Sequence, residues 1–416
     1  MPRGPMLKTK PHHTMFLLIT FVITLLASLL YILVFVQRND TIRVGILHSQ
    51  TGVMALAEQP VIDATLLAIE EINNSRKLLG KFIEPIIVDG ASDTLTFYAK
   101  ANNLITKERV DVIFGCWISD TRKAVKTVVE KYNNLLFYPI QYEGIEVSPN
   151  IAYVGSTANQ LILPTISWVF YNFGKKFYLI GSNNIYSRVF FELAKNYAQL
   201  LGAEIVGEQY LSPKDNFDTI AQDIIRTHPT IIINTIASDS NLPLFKALQK
   251  SRITADKTPV VTFGISELEM KKLEIALFAN NYIASSYFQS LENQENKHFI
   301  NRFKKKYGSH RAVNEAMVNA YTGVYLWAQA VEQAQTSDPN VIKKIIKGEG
   351  KNTPAGITYI DPSNNHAWKT ARIGKISPDG EIHQVWTSKN SLQPIPFPSF
   401  NDYIWEGFLD RFYKKV

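Results

Sequence analysis

The stretch "FGCWISDTRKAV" (114–125) holds the side chains whose types and spacing could do chemistry. It contains Cys116, the single cysteine among 416 residues, and Ser119 three positions later. A thiolate nucleophile needs a neighbouring histidine or a positive helix end to lower the pKa of its thiol. Only His48 among the eight histidines lies at the end of a predicted strand, and the alternation of "VIFGCW" directs Cys116 into the core. We therefore predict a buried, inert thiol, with an amide hydrolase acting through Cys116 as the enzymatic alternative.

Ser119 follows a predicted strand and begins a predicted helix. Its hydroxyl can cap that helix, or it can act with the next backbone N–H groups to receive an acceptor oxygen from a ligand. Both interpretations stay open at this point. The sequence has no GxGxxG after the first predicted strand, no GKS or GKT phosphate loop and no cluster with the spacing of metal ligands. We therefore predict no catalytic residue, no cofactor and no metal.

The composition is that of a folded chain, with 46% hydrophobic and 19% charged residues. The net charge is +7, and four of these charges precede residue 40, which leaves +3 for the rest of the chain. Basic residues elsewhere alternate with acids, without the aromatic and arginine pattern of a nucleic-acid binder. We predict no nucleic-acid partner.

Strand and helix patterns alternate along two series, at residues 42–140 and 175–264. Alternation of this kind predicts an α/β protein with two lobes, each a parallel sheet flanked by helices. In such sheets ligands bind beyond the carboxyl ends of the strands. Ser49 and a set of aromatic residues stand at these ends: Trp117, Tyr138, Tyr142, Tyr186 and Tyr287. Flat apolar walls with a few hydroxyls suit a small, planar, neutral ligand.

The segment Met15–Val36 contains 22 residues without a charge, which is long enough to cross a bilayer as a helix. Basic residues precede it, so we expect a cytoplasmic stub and an extracytoplasmic main domain. We predict an uncleaved transmembrane anchor over residues 1–40, with a cleaved signal peptide as the alternative. The protein would then lie on the periplasmic face of the inner membrane.

Eight stretches of the chain, in order, resemble the urea and short-chain-amide substrate-binding proteins of ABC transporters. They include "FGCWISDTRKAV", "LLFYPIQYEG", "SPNIAYVGSTANQ" and "GKNTPAGITYIDPSNNHAWKTARIG". These proteins are type I periplasmic binding proteins, and an amide-sensing regulator is a close relative. The resemblance implies two lobes that close on a ligand, and it assigns residues 41–157 and 286–355 to lobe 1 and 158–285 and 356–400 to lobe 2. A C-terminal amphipathic tail follows at 401–416.

The resemblance also implies a site and partners. The ligand would be urea or a short amide such as formamide or acetamide, with a branched-chain amino acid as the closest rival. The implied partner is a membrane permease of an ABC transporter or, for a protein that senses without transport, a signalling partner. An acid is expected at position 318, where this chain has Val318. The residues that would hold the ligand are Trp117, Ser119, Tyr138, Tyr142, Tyr186 and Asp239.

Overall fold

The computed structural model describes residues 19–28, 41–75, 77–212, 214–237, 240–270 and 274–398. Asp239, the tail at 401–416 and most of the predicted membrane span lie outside these residues. Residues 19–28 are helical and exposed. Within the described ranges no helix is long and apolar enough to cross a membrane. The N-terminal anchor stays a prediction.

The first lobe is built on a five-stranded, wholly parallel sheet. Its strands are β1 (Thr41–His48), β2 (Phe82–Asp89), β3 (Val112–Gly115), β4 (Leu136–Tyr138) and β5 (Ile151–Tyr153), in the spatial order β2-β1-β3-β4-β5. The connecting helices are α1 (Ala55–Ser75), α2 (Thr94–Thr106) and α3 (Ser119–Lys131). Short apolar runs become these strands because a parallel sheet is covered by its crossover helices on both faces.

The second lobe begins with five further parallel strands. They are β6 (Lys176–Ser182), β7 (Glu204–Leu211), β8 (Ile231–Thr235), β9 (Val260–Thr262) and β10 (Tyr282–Ser285). The helices of this lobe are α4 (Ala158–Phe173), α5 (Ile185–Leu200), α6 (Phe217–Thr227), α7 (Asn241–Lys250) and the short α8 (Glu267–Met270). Alternation of β-strands and helices predicted β6 to β9 and α5 to α7 correctly in type and order, whereas α4, α8 and β10 were not predicted.

The chain then returns to the first lobe before completing the second. The returning elements are α9 (Gln294–Tyr307), α10 (Glu315–Ala334), α11 (Pro339–Ile345) and the hairpin of β11 (Gly350–Thr353) and β12 (Gly356–Tyr359). Trp327 of α10, together with Ile360 and Ala367, packs in the core of the first lobe. The chain thus passes between the lobes three times, near residues 154–158, 285–289 and 367–372. The predicted lobe boundaries stay a proposal, except that β12, Ile360 and Ala367 lie with the first lobe, so the last passage comes after residue 356 and not directly before it.

Two final strands correct the prediction of a purely parallel second sheet. β13 (Arg372–Ile376) pairs antiparallel with β10, and β14 (Ile382–Thr387) pairs antiparallel with β13. The sheet has the order β14-β13-β10-β9-β8-β6-β7. β13 and β14 are antiparallel because a tight turn joins them and reverses the chain. A parallel pair needs a crossover, usually a helix, that returns the chain to the same end of the sheet.

One tight turn places the motif at 114–125. A Cβ atom on Gly115 would lie 2.1 Å from the carbonyl oxygen of Leu47 on the adjacent strand, so only glycine fits there. The next residue, Cys116, has a positive φ of 70° and donates its N–H to the same carbonyl at 3.0 Å. The turn ends β3 and brings Trp117 and Ser119 to the carboxyl edge of the first sheet.

Candidate ligand-binding site

A cavity of about 300 Å³ lies between the two lobes, at the carboxyl ends of both sheets. Five of the eight residues predicted from the sequence line it: Trp117, Ser119, Tyr138, Tyr186 and Tyr287. These residues were predicted because they follow strands, and parallel strands present their carboxyl ends at one edge of the sheet. The structure thus brings together side chains that are up to 170 positions apart in the chain.

Ser49 and Tyr142 lie behind the wall of the cavity. Ser49 is fully buried, and its hydroxyl oxygen accepts the backbone N–H of Ser92 at 3.0 Å. Tyr142 is 3% exposed and stacks on Tyr153 at 5.3 Å between ring centroids. Both follow strands, but the chain turns inward at these points, so their side chains support the wall. Asp239, the eighth residue, is outside the described part of the chain.

The prediction for Cys116 is confirmed: the thiol is buried. Burial, with the nearby charge of Glu58, raises the pKa of the Cys116 thiol well above its ordinary value. Its Sγ atom lies 3.9 Å from the carbonyl oxygen of Thr121, and the side chain does not line the cavity. A thiol kept protonated in a core is a poor nucleophile.

Arg122 organises the first-lobe wall of the cavity. This guanidinium is completely buried, and its Nε donates to Glu146 Oε1 at 3.0 Å, while Nη2 lies 3.4 Å from Glu143 Oε1. Its Nη1 donates to Ser119 Oγ at 3.2 Å and to the Tyr138 hydroxyl at 3.3 Å. Burial opposes ionisation of Glu146, but the Arg122 charge holds the pKa of that carboxyl below its ordinary value. Buried charges are tolerated here because each is paired and hydrogen-bonded.

The hydroxyl protons of Ser119 and Tyr138 are both engaged within this wall. Ser119 donates its proton to Glu143 Oε2 at 2.8 Å, and Tyr138 donates its proton to the Trp117 carbonyl at 2.7 Å. Arg122 occupies one lone pair on each oxygen. A hydroxyl has one proton and two lone pairs, so each retains one acceptor position and no donor. The wall is therefore complementary to a ligand that carries N–H groups.

Donors come from the backbone at the start of α3. Its N-cap residue, Ile118, supplies no side-chain hydrogen bond, and the first N–H with an intrahelical acceptor is that of Arg122, at 3.1 Å from Ile118 O. Ser119 and Asp120 line the cavity just before it. The first N–H groups of a helix lack intrahelical partners and bind acceptor oxygens. A ligand carbonyl can be held here.

Glu315 is a cavity residue that sequence reasoning missed. Its carboxylate accepts the hydroxyl of Ser156 at 3.2 Å and that of Ser285 at 3.0 Å, and it also contacts the Ser286 hydroxyl. Ser156 belongs to the first passage between the lobes, and Ser285 and Ser286 belong to the second. Val318, where the resemblance implies an acid, is packed in the core. Glu315 is an acid about one turn earlier in the same helix. The sequence feature that could have pointed to Glu315 is Asn314, the N-cap of α10, which directly precedes it.

Lys369 and Arg372 bring the third passage near this carboxylate. Burial lowers the pKa of Lys369 to about 8 and that of Arg372 to about 10, and the charge of Glu315 acts against both shifts. Lys369 Nζ donates to Asn319 Oδ1 at 2.6 Å. One carboxylate in the cavity is thus in contact with two passages and in electrostatic interaction with the third.

Gln141 joins the lobes across the cavity. Its Nε2 donates to the backbone carbonyl of Phe263 at 2.6 Å, whereas its buried Oε1 has no hydrogen-bond partner among the described residues. The second-lobe side is mainly apolar, with side chains that include Phe263, Ile265, Ile283 and Phe288, although Asn184, Thr235 and Ser266 also line it. No lysine, arginine or histidine is among the described residues that line the cavity, while Asp120, Glu267, Glu269 and Glu315 are. The cavity therefore offers acceptors and an apolar surface, and no cation.

Solved structures share this fold. A solute-binding protein of an ABC transporter from Rhodopseudomonas palustris BisB5, in complex with 3,4-dihydroxybenzoic acid, is 20% identical with a TM-score of 0.77, and the match covers 85% of this chain and 98% of that one. A leucine-binding protein from Thermotoga maritima MSB8 is 18% identical with a TM-score of 0.72, over 83% of this chain and 98% of that one. At these identities the likeness shows the fold.

One curated relative has an enzyme name, and its match is partial. The "Limonene hydroxylase" of Geobacillus stearothermophilus is 35% identical over 118 residues, which is 28% of this chain and 21% of that protein. The chain thus spans about a fifth of the length of that relative. The family model for the periplasmic binding protein domain, in contrast, matches residues 42–403. The family and the structural neighbours are solute-binding proteins, and this chain belongs to the periplasmic binding protein family.

Proposed function

We propose that the protein binds a small neutral ligand of the amide class, urea or a short-chain amide, outside the cytoplasm and delivers it to an ABC permease. The observation that carries the proposal is the hydrogen bonding of the first-lobe wall, where the Ser119 and Tyr138 hydroxyls have donated their protons within the protein and each keeps one acceptor position. Amides and urea carry N–H donors and one carbonyl. The N–H groups match these acceptors, and the carbonyl matches the backbone donors at the start of α3.

The same wall disfavours a carboxylate ligand. The relative from Rhodopseudomonas palustris holds 3,4-dihydroxybenzoic acid. In this chain no cationic side chain is among the described residues of the cavity, and Glu315 and Asp120 would repel an anion. A branched-chain amino acid would also have to place its carboxylate here. A neutral amide avoids that cost because it introduces no charge.

Delivery follows from closure of the lobes. A permease can recognise a surface that only the liganded, closed form displays. The hydrogen bond from Gln141 to Phe263 already joins the lobes, and Glu315 contacts the passages about which they would move. Anchoring by residues 1–40 would hold the protein beside its membrane partner. Sensing without transport would use the same closure and is distinguished by reconstitution with the permease.

The test is the unfolding temperature of the full-length chain with urea, formamide, acetamide, leucine or benzoate. Small ligands gain at most about 1.5 kcal/mol per heavy atom, so urea binds with a Kd no tighter than about 40 µM. Urea at about 4 mM is then at most about 100 times Kd and stabilises the fold by up to about 2.7 kcal/mol, a rise of at most a few degrees. Urea as a denaturant has almost no effect at that concentration.

A serine pair provides the matched control. Ser119→Ala removes an acceptor of the wall and lowers amide affinity about tenfold. Ser167→Ala changes a helical serine outside the cavity lining and leaves affinity unchanged. A rise in unfolding temperature with leucine or benzoate alone would contradict the proposed function.

A further inference from the structure

We propose that the amide bound by this protein carries an apolar body of about four to six carbons, so that branched or aromatic amides bind more tightly than urea, formamide or acetamide. The inference rests on the proposed function and narrows its ligand. It derives from the size of the cavity and from the unequal chemistry of its two sides.

The cavity is larger than the amide group alone requires. Its volume of about 300 Å³ lies at the lower end of the range that encloses drug-sized ligands. At about 30 Å³ for each water in the liquid, it corresponds to roughly ten water-sized groups. Urea and acetamide have less than half that many heavy atoms. An amide with several further carbons fills the remaining space.

The space beyond the amide site is mainly apolar. Phe263 and Phe288 are 3% and 1% exposed, and Ile265 and Ile283 stand beside them in the second-lobe side of the cavity. Met54 from the first lobe also lines the cavity. Surface of this kind gains free energy from contact with carbon and none from contact with a polar group.

The two acids on the second-lobe side do not require a cationic ligand. Glu269 accepts the backbone N–H of Ser266 at 3.0 Å, and Glu267 accepts that of Gln289 at 2.9 Å. These carboxylates are therefore engaged by the protein itself. A neutral apolar body, with its amide group turned toward Ser119, leaves their hydrogen bonds intact.

The experiment is titration calorimetry of the full-length chain with acetamide, propionamide, butyramide, isovaleramide and benzamide, and with urea. Burial of each added methylene increases affinity about fourfold. Affinity should therefore rise from acetamide to isovaleramide and benzamide, with a heat-capacity change that becomes more negative along the series.

Two phenylalanine variants locate the effect. Phe263→Leu removes an aromatic face from the cavity, and benzamide affinity falls about two- to tenfold, a larger loss than for acetamide. Gln141 contacts only the backbone carbonyl of Phe263, so its hydrogen bond survives. Phe190→Leu is the matched control, because its ring packs 4.5 Å from that of Phe263 and is outside the cavity lining. It should change neither affinity.

The outcomes separate this inference from the proposed function. Binding of urea or acetamide with no gain along the series overturns the inference and leaves the function standing. Equal losses of benzamide affinity in Phe263→Leu and Phe190→Leu also overturn it, since the effect would then come from packing of the core. Binding of benzoate or leucine with no amide bound overturns the function and the inference together.

Discussion

The two sides of the cavity differ in their chemistry. The first-lobe wall is polar: the fully buried Arg122 donates to Ser119 and to Tyr138, and the carboxylate of Glu143 accepts the Ser119 hydroxyl. The second-lobe side is mainly apolar, and Phe263 and Ile283 there belong to the cores of that lobe. The first-lobe wall has fixed hydrogen-bond directions, whereas the second-lobe side offers apolar surface area.

We expect the polar first-lobe wall to determine which ligand is selected and the apolar second-lobe side to determine how tightly it binds. A hydroxyl whose proton is already donated cannot adapt to a ligand, so the polar wall selects by hydrogen-bond type and costs no reorganisation on binding. An apolar surface accepts any group of suitable size, and its burial strengthens as the lobes approach. Four predictions test the comparison.

Removal of Arg122 has the largest expected effect. In Arg122→Ala the carboxylates of Glu143 and Glu146 lose their buried partner, and the free energy of unfolding falls by about 3–5 kcal/mol. Guanidinium chloride unfolding measures it, since urea is a proposed ligand. Arg226→Ala is the control: that side chain is 76% exposed in its pair with Asp223, so a change within about 0.5 kcal/mol is expected. Equal effects would show that the polar wall has no special role.

Acid sensitivity is the second prediction. Burial lowers the pKa of His366 to about 3, and its ring stacks on Tyr153 at 4.1 Å behind the polar wall. Below pH 6.5 the unfolded chain binds a proton that the folded chain refuses, so stability falls as pH decreases from 6.5 towards 3. The slope approaches about 1.4 kcal/mol per pH unit. His366→Phe keeps an aromatic ring and should reduce the slope; an unchanged slope would contradict the assignment.

Two tyrosines, one from each side of the cavity, give the third prediction. Tyr138→Phe loses the hydrogen bond to the Trp117 carbonyl and the one from Arg122, so the unfolding free energy falls by about 1–2 kcal/mol. The Tyr186 hydroxyl, in the second lobe, makes no hydrogen bond to any described residue. Tyr186→Phe should therefore leave stability nearly unchanged. Thermal unfolding of both variants measures the difference, and a larger loss for Tyr186→Phe would reverse it.

The smallest effect is expected for Cys116→Ser. The thiol is buried and lies outside the cavity lining, so ligand affinity should change less than about twofold. Calorimetry measures affinity, and analysis of the incubated ligand tests for amide hydrolysis. Turnover by the parent chain that disappears in the variant would restore the enzymatic alternative.

Much of the fold and about half of the site follow from sequence patterns. Short apolar runs alternating with helical periodicity identified β1 to β4 and β6 to β9, because buried parallel strands are apolar on both faces. The short strands β5 and β10 were not predicted. The antiparallel β13 and β14 were not predicted, since β13 pairs with β10 about ninety positions away and β14 pairs only with β13. Ser49 and Tyr142 also follow strands, and their burial behind the wall depends on tertiary packing that strand ends do not reveal.

By itself the sequence determined the order of most elements, the carboxyl edge at which five of the predicted residues gather and the burial of Cys116, because these depend on local periodicity and on the types of neighbouring residues. The tertiary structure alone decided that Arg122 fixes the protons of Ser119 and Tyr138, that Glu315 contacts the passages between the lobes, and that the second-lobe side is apolar. Hydrogen-bond direction and cavity shape depend on contacts between residues far apart in the chain, which a linear pattern does not contain.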